Sequence, residues 1–227
     1  EMLAGQRMEL AGKKIIISGS GNVALYACEK AQQLGAIVVA MSDSQGYVHS
    51  PRGIKFEDMR RVKEVERKRI HEYLTYDPHA TYFDNCIDIW KTPCDIALPC
   101  AVQNEVGRRE AEYLIANGVK VVAEGSNMPC TPEATEMFME NGVLFAPAKA
   151  CNAGGVATSG LEMAQNSMRF SWSFNEVDRK LRRIMIDIYH NAKNAAIEYG
   201  CEGNLIDGAN IAGFIKVADA MLAQGIL

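Results

Sequence analysis

Lys14-Ile-Ile-Ile-Ser-Gly19-Ser-Gly21-Asn-Val-Ala24 is the stretch from which the rest of the chain can be read. The β-branched run Ile15 to Ile17 reads as a short buried strand. The Gly-x-Gly-x-x-Ala turn behind it opens a helical pattern of Val23, Leu25, Ala27, Cys28, Ala31 and Leu34, which Gly35 stops. Strand, glycine turn and helix, in that order, form the context of a dinucleotide-binding fingerprint. Gly19 permits a tight turn, Gly21 lets the backbone approach a pyrophosphate, and Ala24 lets helix and strand pack closely. The helix N-terminus adds free N–H groups and the positive end of a dipole. The competing reading, a glycine-rich structural turn, is weakened by the next segment of the chain. A second strand, Ala36 to Met41, leads to Asp43, about the distance at which an acidic residue reads an adenosine ribose.

Outward from this unit the pattern repeats. Cys94 to Leu98 reads as a buried strand ending at Pro99, and a helix from Asn104 to Ala116 stops at Asn117-Gly118. Strand Val119 to Ala123 and the turn Glu124 to Pro129 precede a helix with Thr131 as N-cap and Pro132 at its first position. That helix stops at Asn141-Gly142, and strand Val143 to Ala146 closes the alternation. The expected fold is α/β: a Rossmann-like, doubly wound, mostly parallel sheet over residues 1–150. Polar turns at Gly19–Asn22, Ala101–Asn104 and Gly125–Asn127 then fall at the carboxyl ends of strands, where such sheets bind ligands.

Two regions depart from the alternation. Ser44 to Gly53 is turn-rich, and a strongly charged helix is expected from Glu57 to about Tyr73. Its cations Arg60, Arg61, Lys63, Arg67, Lys68 and Arg69 suit either a solvated face or, for one or two of them, a ribose 2′-phosphate, and Lys63, Arg67 or Lys68 could offset the charge of Asp43. Residues 151–227 form a helical segment: a small-residue loop opening a helix through Met168, a long helix capped by Ser173 and Glu176, and a last helix from Asn210 to Gln224 after Asp207-Gly208. The stripe of Val177, Leu181, Ile184, Met185 and Ile188 has helical spacing and reads as packing.

The 227 residues carry a net charge of −4 and are 48% hydrophobic, which leaves no electrostatic case for nucleic acid or an anionic membrane. The longest apolar run, Ile96 to Val102, is too short to span a bilayer, and Glu1-Met2-Leu3 does not begin a secretory signal. The start reads as that of a domain excised from a longer protein. Cys28, Cys86, Cys94, Cys100, Cys130, Cys151 and Cys201 include no Cys-x-x-Cys pair, and His49, His71, His79 and His190 have no metal spacing. Structural thiols in a reducing, cytoplasmic compartment are expected, and no metal site.

Several stretches resemble the hexameric glutamate dehydrogenases and their leucine, phenylalanine and valine relatives. They are Ser18 to Val23, Pro99 to Asn104, Glu124 to Pro129, Asn152 to Asn166 and Gly208 to Phe214. The resemblance runs from Lys13 onward and covers a coenzyme domain with its C-terminal helices. It implies coenzyme contacts from Gly19, Ser20, Gly21, Asn22 and Val23 around the pyrophosphate. Asp43 and Ser44 would lie at the adenosine ribose, Ala101, Gln103 and Asn104 along the cleft, and Asn127 at the nicotinamide ribose. Val156 and Ser159 would face the substrate, with the Ser159 hydroxyl on the glutamate side-chain carboxylate. As local structure alone, Asn127 reads as a turn residue and Ser159 as a small helix-packing residue.

The implied reaction is reversible NAD(P)-dependent oxidative deamination of L-glutamate to 2-oxoglutarate and ammonia, in a homo-hexameric parent protein. NADP is favoured because Ser42-Asp43-Ser44 resembles its NADP-linked members, with NAD as the alternative, since a carboxylate opposes a 2′-phosphate. The family's catalytic lysine segment and acid/base aspartate do not occur in this sequence, so no catalytic residue is named. The alternatives are a leucine, phenylalanine or valine dehydrogenase or, for this chain by itself, a dinucleotide-binding module without turnover.

Overall fold

A computed structural model describes residues 1–225. The chain separates into two compact units, Met2–Ala148 and a second formed by Glu1 with the residues from Lys149 onward.

In the first unit, the elements run in chain order as α1 (Met2–Gly5), β1 (Lys14–Ile17), α2 (Asn22–Gln33), β2 (Ile37–Ser42), β3 (Tyr47–His49) and α3 (Phe56–Arg60). They continue with β4 (Thr81–Phe83), β5 (Ile96–Leu98), α4 (Arg108–Ala116), β6 (Val121–Ala123), α5 (Pro132–Glu140) and β7 (Leu144–Ala146). The strands make one seven-stranded sheet, ordered β4-β3-β2-β1-β5-β6-β7. β2, β1, β5, β6 and β7 run parallel, whereas β3 and β4 add an antiparallel edge. The fold is α/β, with a mixed and mostly parallel sheet.

β1 is the central strand, and its isoleucines show why. Ile15, Ile16 and Ile17 point alternately to the two faces, yet all are at most 2% exposed, so both faces of the sheet are covered. Burying each such side chain stabilises the unit by about 1.5–3 kcal/mol. The chain leaves β1 for β2 on one side and returns to β5 on the other. The crevice at this reversal of strand order is where open α/β sheets bind ligands.

The continuous helix expected over Glu57–Tyr73 is not formed. After α3 the chain makes a wider π turn over Arg61–Val65, with Arg67 left-handed (φ 53°), and re-forms as a 3₁₀ segment over Ile70–Thr75. The break falls between Glu66 and Arg69, where the left-handed Arg67 ends the π turn, and Val62, Ile70 and Tyr73 on either side of it are all fully buried. The turn-rich Ser44–Gly53 stretch holds β3, and α4 begins at Arg108 instead of Asn104.

In the second unit, α6 (Ala148–Cys151), whose first residue closes the first unit, leads into α7 (Gly154–Met168), α8 (Phe174–Glu198) and α9 (Leu205–Gln224). The Ser173–Glu176 capping box forms at the start of α8. Asp207-Gly208 does not precede the last helix but lies inside it, because Asn204 caps α9 through the amides of Ile206 and Asp207. Gly208 serves close packing: a Cβ there would overlap the Ala192 carbonyl of α8. No helix of the described residues is long and apolar enough to cross a membrane.

Candidate functional site

The two glycines of the first turn have different reasons to be glycine. Gly19 is left-handed (φ +87°), and a Cβ there would come within 3.2 Å of Ala101 Cα and Cβ. Its amide donates to Ser42 Oγ at 2.9 Å, which ties the turn to the end of β2. Gly21 has an ordinary extended backbone (φ −84°, ψ −171°), and a Cβ there would meet nothing within 4 Å. Neither conformation nor crowding inside the protein calls for a glycine at this position. Gly21 stands at the N-terminus of α2, which has no side-chain cap and no acidic residue in its first turn. Bare backbone, unmet N–H groups and the positive dipole end suit a pyrophosphate. Ser20 is nearly buried in the turn, whereas Asn22 and Val23 are exposed beside it.

The loops after β5 and β6 are joined backbone to backbone. Gly125 and Ser126 both donate to Pro99 O, at 2.9 and 3.0 Å. Asn104 donates to Met128 O and Val106 to Pro129 O, each at 2.9 Å. Asn104 (φ 56°) and Met128 (φ 48°) are both left-handed, which costs about 1–3 kcal/mol apiece and persists only where surroundings enforce it. A Cβ on Gly125 would overlap Cys100 Sγ and come within 3.3 Å of Val23 Cγ1. The glycine turn and the loops after β5 and β6 therefore meet, and Ala101, Gln103, Asn104 and Asn127 are exposed at their junction.

Two glutamates that the sequence does not single out hold these loops from behind. Glu105 Oε1 accepts from Ser18 Oγ (2.9 Å), Ala101 N (3.0 Å) and Val102 N (3.3 Å). Burial pushes its carboxyl above the usual range, and the donors from Ala101, Ser18 and Val102 pull it partly back. Glu124, 6% exposed, accepts from Cys130 N at 3.1 Å and Ala148 N at 2.7 Å. Burial and then the neighbouring Glu124 charge push the Cys130 thiol up, so it is an inert core group. The only local signal for either glutamate is a carboxylate placed next to an apolar run.

At the end of β2, Asp43 turns inward. Its side chain is 6% exposed and accepts from Gln45 N (2.9 Å), Gly46 N (3.3 Å) and Ile70 N (3.1 Å). Burial alone would raise this carboxyl, but the amides of Gln45, Ile70 and Gly46, helped by Lys63, hold it below its ordinary value. What remains exposed here is Ser44, whose Oγ accepts from Arg69 Nη1 at 3.0 Å. Lys63 lies close by, its ammonium donating to Lys68 O at 2.8 Å. Burial lowers the Lys63 pKa and the Asp43 charge works against that. Of the six cations named on the sequence, Arg69 is the one that reaches Ser44. Arg67 and Lys68 lie in the broken part of the expected helix, and Lys68 pairs with Glu66 at 3.2 Å.

Val156 and Ser159 belong to the second unit, on α7. Val156 is 74% exposed, and the exposed Ser159 hydroxyl donates a long bond back to Gly155 O at 3.4 Å. No disulfide and no cluster of three or more His, Cys, Asp or Glu side chains able to hold a metal occurs among the described residues.

A mostly parallel sheet whose order reverses at its glycine turn, with a helix N-terminus that no side chain caps beside the crevice, defines an α/β domain of the Rossmann class. Residues 1–225 match the Glutamate/Leucine/Phenylalanine/Valine dehydrogenase family, and the chain belongs to it. It is 52% identical over 231 residues to the NADP-specific glutamate dehydrogenase of Salmonella typhimurium, covering 100% of this chain and 51% of that protein. It is 48% identical over 233 residues to the NAD(P)-specific glutamate dehydrogenase of Xylanibacter ruminicola, with 100% and 51% covered. Among solved structures, Plasmodium falciparum glutamate dehydrogenase 2 superposes with a TM-score of 0.95 at 47% identity, over 99% of this chain and 50% of that one. The chain spans about half the length of the curated relatives it matches.

Proposed function

We propose that this chain is the coenzyme-binding half of an NADP-linked glutamate dehydrogenase. The whole protein would then interconvert L-glutamate with 2-oxoglutarate and ammonia. The observation that carries the reading is Gly21, a glycine with no reason inside the protein, set at a helix N-terminus that nothing caps. Bound there, the coenzyme supplies the hydride chemistry, while the chain binds and orients it. Gly19, Ser20, Gly21, Asn22 and Val23 surround its pyrophosphate in this reading. Ala101, Gln103, Asn104 and Asn127 line the other half of the cleft.

NADP is preferred to NAD on the geometry at the end of β2. The Asp43 carboxylate spends its acceptor capacity on backbone amides and has little left for ribose hydroxyls. Ser44 and Arg69 stand exposed beside it with Lys63 nearby, a donor set suited to a 2′-phosphate. The NADP-specific relatives support the same choice. Fluorescence titration of the purified chain tests it: NADPH binds tighter than NADH, and Arg69→Ala weakens NADPH about tenfold while leaving NADH alone. Tighter binding of NADH overturns the preference.

Val156 and Ser159 are assigned to the substrate, and the parent protein to a cytoplasmic homo-hexamer, by the family resemblance. The leucine, phenylalanine and valine dehydrogenases are the weaker reading, because the relatives described above are glutamate dehydrogenases. Because the chain spans about half of those relatives, it is expected by itself to bind coenzyme without turning over glutamate. Glutamate-dependent reduction of NADP by the purified chain overturns that expectation.

A further inference from the structure

Behind the loop after β5 lies a node of hydrogen bonds, and Glu105 is its centre. Its Oε1 accepts from the Ala101 and Val102 amides and from the Ser18 hydroxyl, and Ser18 Oγ in turn accepts from Cys100 N at 2.8 Å. The amides of residues 100, 101 and 102 thus all point inward, to one pair of side chains. We propose that Glu105 is a positioning residue that sets the loop after β5 for the nicotinamide half of the coenzyme. The proposal rests on the dinucleotide reading above and adds a residue that neither binds the coenzyme nor faces it.

Three features give the node its leverage. The first is tolerance: the bare face of Gly19 packs against Ala101 so closely that a single methyl would meet it at 3.2 Å. A shift of the loop by a few tenths of an ångström would therefore push on the pyrophosphate turn itself. The second is strain, because Asn104, next to Glu105, is left-handed and must be held at both ends. Its own amide bonds Met128 O on one side, and Glu105 anchors the chain on the other. The third is position: the loop lies across β1 from β2, the side that takes the second nucleotide half when the end of β2 takes the adenosine.

The node needs an acceptor oxygen at this position, and the carboxylate supplies it at a cost that burial sets. Two amides and a hydroxyl converge on one oxygen and offset in part a charge that burial disfavours. With the inward-facing amides consumed, coenzyme contacts along this loop fall to the exposed side chains of Gln103 and Asn104 and to backbone carbonyls. The share given to Ala101 is then its backbone oxygen and its packing on Gly19.

The test uses the 227-residue chain with NADPH as the whole ligand and 2′,5′-ADP as the adenosine half alone. In Glu105→Ala, NADPH binding weakens about tenfold, while 2′,5′-ADP stays within about twofold of the parent. Glu105→Gln, which keeps an oxygen at the same place, recovers NADPH binding to within about threefold. Ser18→Ala removes one link of the node with the least disturbance to the fold, and weakens NADPH by about threefold without affecting 2′,5′-ADP. Should Glu105→Ala fail to fold, Ser18→Ala decides the question. Unchanged NADPH binding in Glu105→Ala or, where that variant does not fold, in Ser18→Ala, or equal loss for both ligands, overturns the proposal. A parent chain that binds neither ligand overturns the coenzyme reading itself, a result set apart by being seen before any substitution.

Discussion

The sheet carries one kind of anchor on either side of β1, and the two differ in reach and in charge. On the β2 side, Asp43 gathers the amides of Gln45, Gly46 and Ile70, mostly from its own turn, with Lys63 and Arg69 around it. On the β5 side, Glu105 gathers amides of its own loop but also Ser18, 87 positions earlier in the chain, and burial is what moves its pKa. One carboxylate is held low among cations and the other is pushed up with no cation acting on it. The β2 side is thus an electropositive corner with one exposed hydroxyl, Ser44. The β5 side is a nearly uncharged wall of Asn, Gln and backbone, and a ligand with one phosphate-rich end and one neutral end would match both.

The largest expected effects come from filling the close contact on each side. A Cβ on Gly46 would overlap the backbone oxygen of Phe83, which belongs to β4 and cannot turn away. On Gly125 the overlap is with Cys100 Sγ, which can turn about one torsion. Gly46→Ala is expected to destabilise the chain by on the order of 3 kcal/mol and Gly125→Ala by about 2 kcal/mol in urea denaturation. Equal losses would mean that the β2 corner yields as readily as the β5 wall, which breaks the contrast in rigidity.

A second and smaller difference lies in acid. Asp43 has a folded pKa below its ordinary 3.8, so its contribution is present above that value and is lost as pH falls through the folded pKa. Glu105 has the opposite sign: its folded pKa lies above the ordinary 4.5, so its contribution holds below that value and is lost as pH rises through the folded pKa. Asp43→Asn is expected to cost on the order of 1 kcal/mol at neutral pH, and the cost shrinks on acidification. Relative to the parent, Glu105→Gln gains stability as pH rises above 4.5. Thermal melts across pH check both, and slopes of the same sign would dissolve the distinction between the anchors.

The same difference in reach explains what can be read from the sequence. The glycine turn, the Thr131–Pro132 start of α5, the Asn141-Gly142 stop and the Ser173–Glu176 box all depend on neighbours within a few positions, and each is found in the structure. β3 and β4 escape such a reading because Tyr47-Val-His49 and Thr81-Tyr-Phe83 are not continuous aliphatic runs, whereas the equally short β5, β6 and β7 are apolar throughout. The charged helix is expected too long because Val62, Ile70 and Tyr73 keep helical spacing across the break, and no glycine or proline marks the left-handed turn at Arg67. Gly208 reads as a turn until α8 is laid against it. Glu105 is invisible for the same reason: its partner Ser18 is brought to it only by the pairing of β1 with β5. Which of the six cations reaches Ser44 is not legible, because only the break in the helix turns Arg69 back to it.

The smallest expected effect on stability separates what the protein needs from what its ligand needs. Gly21 lies between the two anchored sides, with a backbone that any residue adopts and open space where a Cβ would stand. Replacement by alanine removes freedom from the unfolded chain and introduces no strain in the folded one. Gly21→Ala should therefore be neutral or stabilising by about 0.5 kcal/mol. Affinity moves the other way if the bare backbone is where a pyrophosphate rests, since one methyl then stands between the phosphate and the helix N-terminus. A drop of about tenfold in NADPH affinity with unchanged or higher stability would locate the requirement for glycine in the ligand. Loss of stability would instead mean that the turn itself needs Gly21, and a chain equally stable with unchanged affinity would move the pyrophosphate away from this turn.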